Sequence, residues 1–300
     1  MLCYRAYKVG EKMKGGEKMN VIRMFDAEST PIDIAVVGCG GAGINALREI
    51  RTETPRIKKV AINLCPGGSL LSAAAQHRIY LSERNLEEYT SLDVYHLCIA
   101  NYKKITDALG NPDVIVAVVA LRGRTGMGVA RALKEIYHTR LVIVVGFAPF
   151  CFEGNFELKK AIEFLGDGNI WVIDNQVIAE LAKEKSFLKV VKIANQMASA
   201  LVEHVVNGFT WKSIETLRRH PVRGKADLGI GPSILQALND IEPTPSRAAF
   251  VSVKVPEKEL FAVEHLAKYI EETGAFGMEK VLLSSFSGFR TEILAVKEIH

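Results

Sequence analysis

Short apolar runs alternate with amphipathic segments through the first two thirds of the chain. Five runs rich in β-branched residues predict strands at 32–37, 57–63, 113–120, 140–146 and 170–174. The segments between them have helical apolar spacing, at 43–52, 102–109, 126–138, 156–165 and 177–183. Strands that are apolar on both faces and alternate with helices predict a doubly wound, mostly parallel α/β sheet covered on both sides.

The remaining third has a different pattern. A long amphipathic segment, 186–206, is followed by predicted helices at 211–219 and 231–241, a strand at 248–255, a helix at 257–273, and strands at 280–286 and 291–299. This order is typical of a small mixed sheet with helices on one side. We therefore divide the chain into an N-terminal arm (1–29), a first domain (30–185), a central helix (186–207) and a smaller α+β domain (208–300).

Composition narrows the class of protein. The apolar fraction of 48% and the charged fraction of 24% are ordinary for a soluble globular chain. No apolar run approaches about 18 residues, so we expect no transmembrane segment. The net charge of +4 has no long basic tract beyond the arm, which argues against a nucleic-acid partner. The basic arm lacks the apolar core of a signal peptide, and we expect a loosely ordered terminus.

Cysteines and histidines give no sign of a metal site or of disulfides. The five cysteines are scattered and odd in number, without CxxC spacing, and the seven histidines show no paired spacing. A reducing, cytoplasmic location is the simplest interpretation. Cys39 lies in a glycine loop, where it could be a reactive thiol, but a small residue that fills the loop is the preferred interpretation.

A glycine cluster, GCGGAGIN, directly follows the first predicted strand. Its Gly38, Gly40 and Gly43 form a GxGxxG pattern before a helix, where backbone N–H groups can receive a phosphate. In a dinucleotide site an acidic residue would follow about 20 residues later. The second strand instead ends in Asn63-Leu64-Cys65-Pro66, so an NAD-dependent enzyme is a disfavoured alternative.

A second glycine loop, RGRTGMG, spans residues 122–128 and also leads from a strand into a helix. Two such units in one sheet suggest a mononucleotide held through its phosphates from both sides. No P-loop sequence is present. The alternative explanation is that the glycines only allow strands and helices to pack closely.

These loops are similar to those of the FtsZ/tubulin superfamily. The resemblance continues, in order, through PFCFEG (149–154), VIDN (172–175) and IANQ (193–196), and it covers roughly residues 30–300. By this resemblance the chain is identified as a divergent FtsZ-like protein of prokaryotic or archaeal type. The resemblance implies a nucleotide-binding domain, a long central helix and a smaller C-terminal domain.

The resemblance also implies a guanine-nucleotide site for GTP or GDP, with Mg²⁺ as an ion that could accompany the phosphates. The glycines would line the phosphates, the glutamate would bind the ribose, and the asparagines would contact the ribose and base. The candidate residues are Gly38, Cys39, Gly40, Gly41, Gly43, Asn45, Arg122, Gly123, Arg124, Thr125, Gly126, Met127, Gly128, Glu153, Asn175 and Asn195. For each polar residue, a helix cap or an exposed surface position is the alternative role.

The phosphate-binding signature departs from the family pattern. Arg122 and Arg124 stand where the family has glycines, and Met127 stands where it has threonine or serine. The arginines could bind phosphate, or they could fill the cavity and exclude it. The family's acidic residue after the second strand corresponds to Cys65. The family's glycine-rich loop, which is expected to sense the terminal phosphate, has no counterpart, because the segment 89–95 contains no glycine.

The loop after the central helix also departs from the family. FtsZ carries two aspartates there that activate water, and this chain has Thr210 and Ser213 at those positions. A hydroxyl is a poor base at its free pKa, so we predict no catalytic residue and weak or absent hydrolysis. The alternative is that the chain is still an active GTPase, with Glu215 as the base.

The resemblance implies a cytoskeletal role in division or cell shape, through self-association or co-assembly with another FtsZ-like protein. The main alternative is a scaffold with the same fold that binds no nucleotide.

Overall fold

Six parallel strands form one half of the sheet in a computed structural model of the chain. The structure describes residues 20–23, 31–50, 57–82, 88–181, 186–231, 236–237, 248–256, 263–268, 280–287 and 291–298. The six strands are β2 (Ile34–Cys39), β3 (Ile57–Asn63), β4 (His77–Tyr80), β5 (Val114–Ala120), β6 (Leu141–Ala148) and β7 (Asn169–Asp174). They lie in the order β4-β3-β2-β5-β6-β7. The predicted doubly wound sheet is therefore confirmed.

Strand β4 was missed because it is short and because Ile79 is its one buried residue. An isolated buried position gives no alternating pattern.

Helices connect these strands on both faces of the sheet. They are α1 (Gly40–Ala46), α2 (Gly68–Leu71), α3 (Ser91–Ala100), α4 (Tyr102–Leu109), α5 (Arg124–Ile136), α6 (Leu158–Leu165), α7 (Asn175–Leu181), α8 (Phe187–Gly208) and α9 (Trp211–Arg219), with a 3₁₀ turn at Cys151–Glu153. Helix α3 was not predicted. Its N-terminus is stabilised by a capping box, in which Thr90 and Asp93 bond to each other's backbone N–H.

Alternate residues of the central strands supply two separate cores. On β2, Ile34 and Val36 pack with α1 and the central helix α8. Ala35 and Val37 pack on the opposite face, with α3, α4, α5 and α6. Burial on both faces explains why these strands are continuously apolar in sequence.

Five more strands extend the same sheet, and four of them come from the C-terminal part of the chain. These four are β8 (Arg223–Gly231), β9 (Ala248–Val255), β10 (Lys280–Ser287) and β11 (Thr291–Glu298). Strand β8 pairs with β7 and with β11, so the two halves are hydrogen-bonded to each other. The predicted boundary at residue 208 stays a prediction, and the two halves share a core containing Trp171 and Phe250, whose rings stack with centroids 5.0 Å apart.

Two predictions near the domain ends need correction. The helix predicted to begin at Gly231 is wrong at its start, because Gly231 is the last residue of β8; of the rest of that range, the structure describes 236–237, which are helical. Residues 263–268 of the helix predicted at 257–273 are helical.

The expectation of a loosely ordered N-terminus is wrong for Asn20–Arg23. These four residues form β1, which pairs in parallel with Lys280–Leu283 of β10. The rest of the arm, 1–19 and 24–29, lies outside the described residues.

Within the described part of the chain, no helix is long and apolar enough to cross a membrane.

Candidate functional site

The order of the strands reverses between β2 and β5. From β2 the chain crosses to β3 through α1 on one face, and from β5 it crosses to β6 through α5 on the other face. A crevice forms at the carboxyl ends of strands where crossovers leave on opposite faces, and ligands of open α/β sheets bind there. Both predicted glycine loops begin at this crevice.

The two glycine loops contact each other. Gly40 has a φ of +68°, and a methyl group on it would lie 3.0 Å from the amide nitrogen of Gly126. A methyl group on Gly126 would lie 2.7 Å from the carbonyl oxygen of Cys39. The absence of side chains therefore allows the backbones of the two loops to meet.

Most glycines of the loops face protein atoms. A methyl group on Gly43 would lie 2.0 Å from the carbonyl oxygen of Val118, and Gly38 and Gly128 have protein atoms within 3.0 Å of the corresponding position. Close packing is thus sufficient to explain these three glycines. Gly41 differs, because its nearest neighbour would be Ser69 Oγ at 3.9 Å. The backbone at Gly41 is therefore open to a ligand.

Both helices that start at the crevice begin without a capping side chain. The N-cap residues are Cys39 for α1 and Gly123 for α5, neither of which accepts a side-chain hydrogen bond, and neither helix has an acidic residue in its first turn. Thr90 and Thr210 cap α3 and α9 in the same chain. The uncapped N–H groups and the helix dipoles make the crevice favourable for an anion.

Two arginines lie exposed at the second loop. The guanidinium of Arg122 lies against Gly154, 3.3 Å from the position of a methyl group there, and it makes no hydrogen bond or ion pair with any described residue. Arg124 is the first residue of α5 and is also exposed. Gly123 and Thr125, between and after them, are half-buried.

Glu153 lies in the 3₁₀ turn after β6 and is exposed. Its Oε1 accepts a hydrogen bond of 3.0 Å from the backbone nitrogen of Phe150. This bond orders the turn beside Arg122 and occupies one of the two carboxylate oxygens. Glu153 thus caps the 3₁₀ turn through one carboxylate oxygen, and its other oxygen remains available at the rim of the crevice.

Asn175 begins α7 at the carboxyl end of β7 and is almost fully buried. Its Oδ1 has no hydrogen-bond partner among the described residues. The preceding Asp174 accepts bonds from the backbone nitrogens of Gln176 and Val177 and from Lys225 Nζ at 2.7 Å. An unsatisfied buried oxygen costs free energy unless a water or ligand donates to it.

Asn45 and Asn195 lie on two neighbouring helices. Ser199 Oγ of α8 donates to the carbonyl oxygen of Glu49, just after α1, over 2.9 Å. Both helices start at the carboxyl edge of the sheet. Asn45 lies four residues before Glu49, and Asn195 lies four residues before Ser199, which is about one helical turn in each case. Asn45 is exposed and Asn195 half-buried, and the two therefore lie at a similar level nearer the crevice.

Two predicted site residues direct their side chains into the core. Met127 and Cys39 are buried beneath the loops, so only their backbones are available to a ligand. Burial raises the pKa of the Cys39 thiol well above its ordinary value, which keeps it protonated and unreactive.

Thr210 and Ser213, which are predicted to stand at the family's acidic positions, accept hydrogen bonds from each other's backbone N–H groups. The backbone nitrogen of Thr210 donates to Ser213 Oγ over 3.0 Å, and the backbone nitrogen of Ser213 donates to Thr210 Oγ1 over 3.3 Å. Both side chains are buried. Glu215 lies on the exposed face of α9, 3.6 Å from Arg219. Among the described residues, no cluster of His, Cys, Asp and Glu could hold a metal ion.

One part of the crevice was missed in the sequence. Gly67 and Gly68 follow β3 with no atom within 4 Å of an added methyl group, and Ser69 is the closest neighbour of Gly41. The signal in the sequence is the glycine pair itself, which begins four residues after the end of β3.

No protein-family model matches the chain. The cell division protein FtsZ 1 of Methanocaldococcus jannaschii is 26% identical to it over 261 residues, which are 77% of this chain and 71% of the relative. The solved empty FtsZ dimer of M. jannaschii matches with a TM-score of 0.71 at 20% identity, over 90% of this chain and 89% of that one. CetZ2 from Haloferax volcanii, solved as a GTPγS-bound protofilament, matches with a TM-score of 0.66 at 17% identity, over 89% and 93% of the two chains. Its sequence is similar to that of curated FtsZ proteins and its fold to those of FtsZ and CetZ, so the chain is a divergent FtsZ/tubulin-like protein.

Proposed function

We propose that the chain binds a guanine nucleotide, GTP or GDP, at the crevice between β2 and β5, and that it hydrolyses this nucleotide weakly or not at all. The observation that carries the proposal is the meeting of two uncapped helix N-termini beside Gly41, which is open to a ligand. Unpaired N–H groups and positive helix ends attract phosphate oxygens.

Charged and polar groups around the crevice support the same ligand. Arg122 has no anionic partner among the described residues and would pair with a phosphate. Glu153 would accept hydrogen bonds from ribose hydroxyls, and the buried Oδ1 of Asn175 would accept one from the ribose or base. Asn45 and Asn195 would bond to the base edge. Without an acidic cluster in the described residues, Mg²⁺ would rest mainly on the phosphates.

The loop after α8 supports weak hydrolysis. A water that attacks the terminal phosphate needs a group that orients or deprotonates it. Thr210 and Ser213 are buried in a reciprocal cap, and neither hydroxyl is a base at neutral pH. Glu215 is the nearest carboxylate in sequence, and it is paired with Arg219 on the surface of α9.

The relatives support a cytoskeletal role in the cytoplasm. One solved relative is an FtsZ dimer and another is a nucleotide-bound CetZ2 protofilament. We propose that this chain self-associates or co-assembles with a related chain and serves cell division or cell shape.

Substitution of Gly41 tests the nucleotide site. We expect the wild-type protein to release GTP or GDP on denaturation and to bind GDP in calorimetric titration. Gly41→Ala places a methyl group in open space and should keep binding within about threefold. Gly41→Glu adds a negative charge facing the phosphates and should weaken binding by about 100-fold or more.

Stability separates loss of binding from loss of folding. Both variants should unfold at similar urea concentrations, because the nearest atom to an added methyl group on Gly41 is Ser69 Oγ at 3.9 Å, an ordinary contact distance. Binding that is absent in the wild type, with no nucleotide released, would contradict the proposal and favour a nucleotide-free scaffold. Equal binding by Gly41→Glu would place the nucleotide elsewhere.

A further inference from the structure

Strand β4 is the terminal strand of the sheet on the side of β3. Among the described residues it pairs with β3 alone, through Val60 to Asn63. Alternate residues of a terminal strand turn their N–H and C=O groups away from the sheet. Residues 77–80 therefore present backbone groups that can pair with a further strand.

A cleft of about 620 Å³ runs beside this edge. It lies between β4 and helix α4, and its lining residues are Gln76, His77, Arg78, Ile79, Lys103, Lys104, Asp107 and Ala108. Helix α4 turns Ile105 and Leu109 into the core. Its other face, with Lys103, Lys104 and Asp107, is exposed toward the cleft.

The cleft carries excess positive charge. Arg78, Lys103 and Lys104 are basic side chains, and Asp107 is the one carboxylate among the lining residues. Arg78 donates to the carbonyl oxygen of Ala73 over 2.8 Å, and the residue as a whole is exposed. No described residue forms an ion pair with Lys103.

Lys104 lies along the open edge itself. Its Nζ donates to the carbonyl oxygen of Tyr80 over 2.8 Å and lies 4.1 Å from the centroid of the Tyr80 ring. A lysine on an exposed edge opposes pairing with apolar or basic strands. A carboxylate on an incoming strand would instead attract it, so the edge selects its partner by charge.

We propose that β4 and this cleft bind an extended acidic segment of a partner protein, which adds to the sheet as a further strand. Main-chain hydrogen bonds to residues 77–80 would supply the pairing, and Arg78, Lys103 and Lys104 would bind the carboxylates. Four residues of edge, about 13 Å, make a small interface, so the complex is weak and reversible.

The proposed surface is separate from the nucleotide crevice. Strand β4 lies two strands from β2 in the sheet, and no lining residue belongs to either glycine loop. A partner bound at β4 would leave the crevice accessible. Failure of one proposal therefore does not entail failure of the other.

The test uses the full chain and three fluorescein-labelled peptides in fluorescence anisotropy titrations. The acidic probe is EVEVEVE. The basic probe KVKVKVK has the same strand propensity with reversed charge. In EVEPEVE the proline removes a backbone donor and disfavours the extended pairing while the acidic charges remain. We expect EVEVEVE to bind and both comparison peptides to bind at least about tenfold more weakly.

Variants of the chain locate the site. Lys103→Glu should weaken binding of EVEVEVE by about fivefold, and Lys103→Glu combined with Lys104→Glu by more than about tenfold. Lys159→Glu makes the same charge change on an exposed residue of α6 and should leave binding unchanged. Hydrogen exchange of residues 77–80 should slow when EVEVEVE is bound.

Each other outcome overturns the proposal. Equal binding of EVEVEVE and EVEPEVE would show that the peptide binds by charge attraction alone, without adding a strand to the sheet. Tighter binding of a ten-residue oligothymidylate than of EVEVEVE would identify a nucleic-acid surface instead. Unchanged exchange at 77–80, or an equal effect of Lys159→Glu, would place the peptide elsewhere.

Discussion

Two opposite roles are open to Arg122 in the candidate site, namely binding of phosphate and exclusion of phosphate. Arg122 lies in the second glycine loop, where its guanidinium could either bind phosphate or fill the crevice. The structure places it against Gly154, at the turn that holds Glu153, without an ionic partner among the described residues. An exposed, unpaired guanidinium beside two helix N-termini favours the first interpretation.

Substitution of Arg122 distinguishes these interpretations. We expect Arg122→Ala to weaken GDP binding by about tenfold, because it removes a charge-assisted hydrogen bond to phosphate. Arg131→Ala is the matched control, since Arg131 lies in the middle of α5, over the rings of Tyr95 on α3 and Phe164 on α6. Titration calorimetry measures both. Tighter binding by Arg122→Ala would show that the arginine fills the site.

At the scale of elements, the ends of the helices differ in a way that matters for function. Helices α3 and α9 have complete capping boxes, whereas α1 and α5, which start at the crevice, have none. A capping side chain stabilises a helix and also occupies the N–H groups that an anion would need. The loop before α9 thus serves as a structural cap through Thr210 and Ser213.

Thr210 tests the role of this cap. Thr210→Ala should lower the free energy of unfolding by about 1 kcal/mol, because the bond to the Ser213 nitrogen is lost. Thr210→Asp should keep the stability, since aspartate is an equally good N-cap. Urea denaturation measures the stabilities. Phosphate release by Thr210→Asp should stay near the wild-type level, as the buried Ser213 is unchanged.

The dependence of the GTP cleavage rate on protein concentration tests the proposal of weak hydrolysis. A specific rate of GTP cleavage that rises steeply with wild-type protein concentration would contradict weak hydrolysis. Loss of that rate in Glu215→Gln would then identify Glu215 as the base.

At the scale of the whole molecule, α8 is held to β9 and β11, in the second half of the sheet, by a largely buried polar cluster. His204 Nδ1 lies 2.8 Å from Ser252 Oγ, and its Nε2 lies 3.8 Å from Glu292 Oε2. Lys254 Nζ contacts Glu203 at 2.6 Å and Glu292 at 3.5 Å. Burial lowers the pKa of His204, although Glu292 opposes this shift. His204 is therefore neutral at pH 7.

This cluster makes the stability depend on pH. In the unfolded chain a histidine takes up a proton as the pH falls through about 6.5, whereas folded His204 resists protonation. Proton uptake therefore stabilises the unfolded state relative to the folded state as the pH falls below that value. The free energy of unfolding decreases until the pH reaches the lowered pKa of His204 in the folded protein. We expect His204→Gln to lose less stability than the wild type between pH 7.5 and 5, measured by urea denaturation. His138→Gln, on an exposed histidine, should behave like the wild type.

The sequence by itself determined the alternation of strands and helices, the two glycine loops and their order. These features depend on local patterns: burial on both faces makes β2, β5 and β6 continuously apolar, and glycine marks each turn at the crevice. The same reasoning missed β4 and β8, because a short edge strand and a glycine-containing strand lack a clear period.

Only the tertiary structure decided how each residue at the crevice is used. Gly43 packs against Val118, while Gly41 in the same loop is open; Thr210 is a buried cap, and Arg122 is an exposed cation. Sequence motifs fix which residues occupy a loop, but the use of each residue depends on atoms that come from distant strands and helices. The neighbours of a glycine or a hydroxyl, brought close by folding, determine whether it is free to contact a ligand.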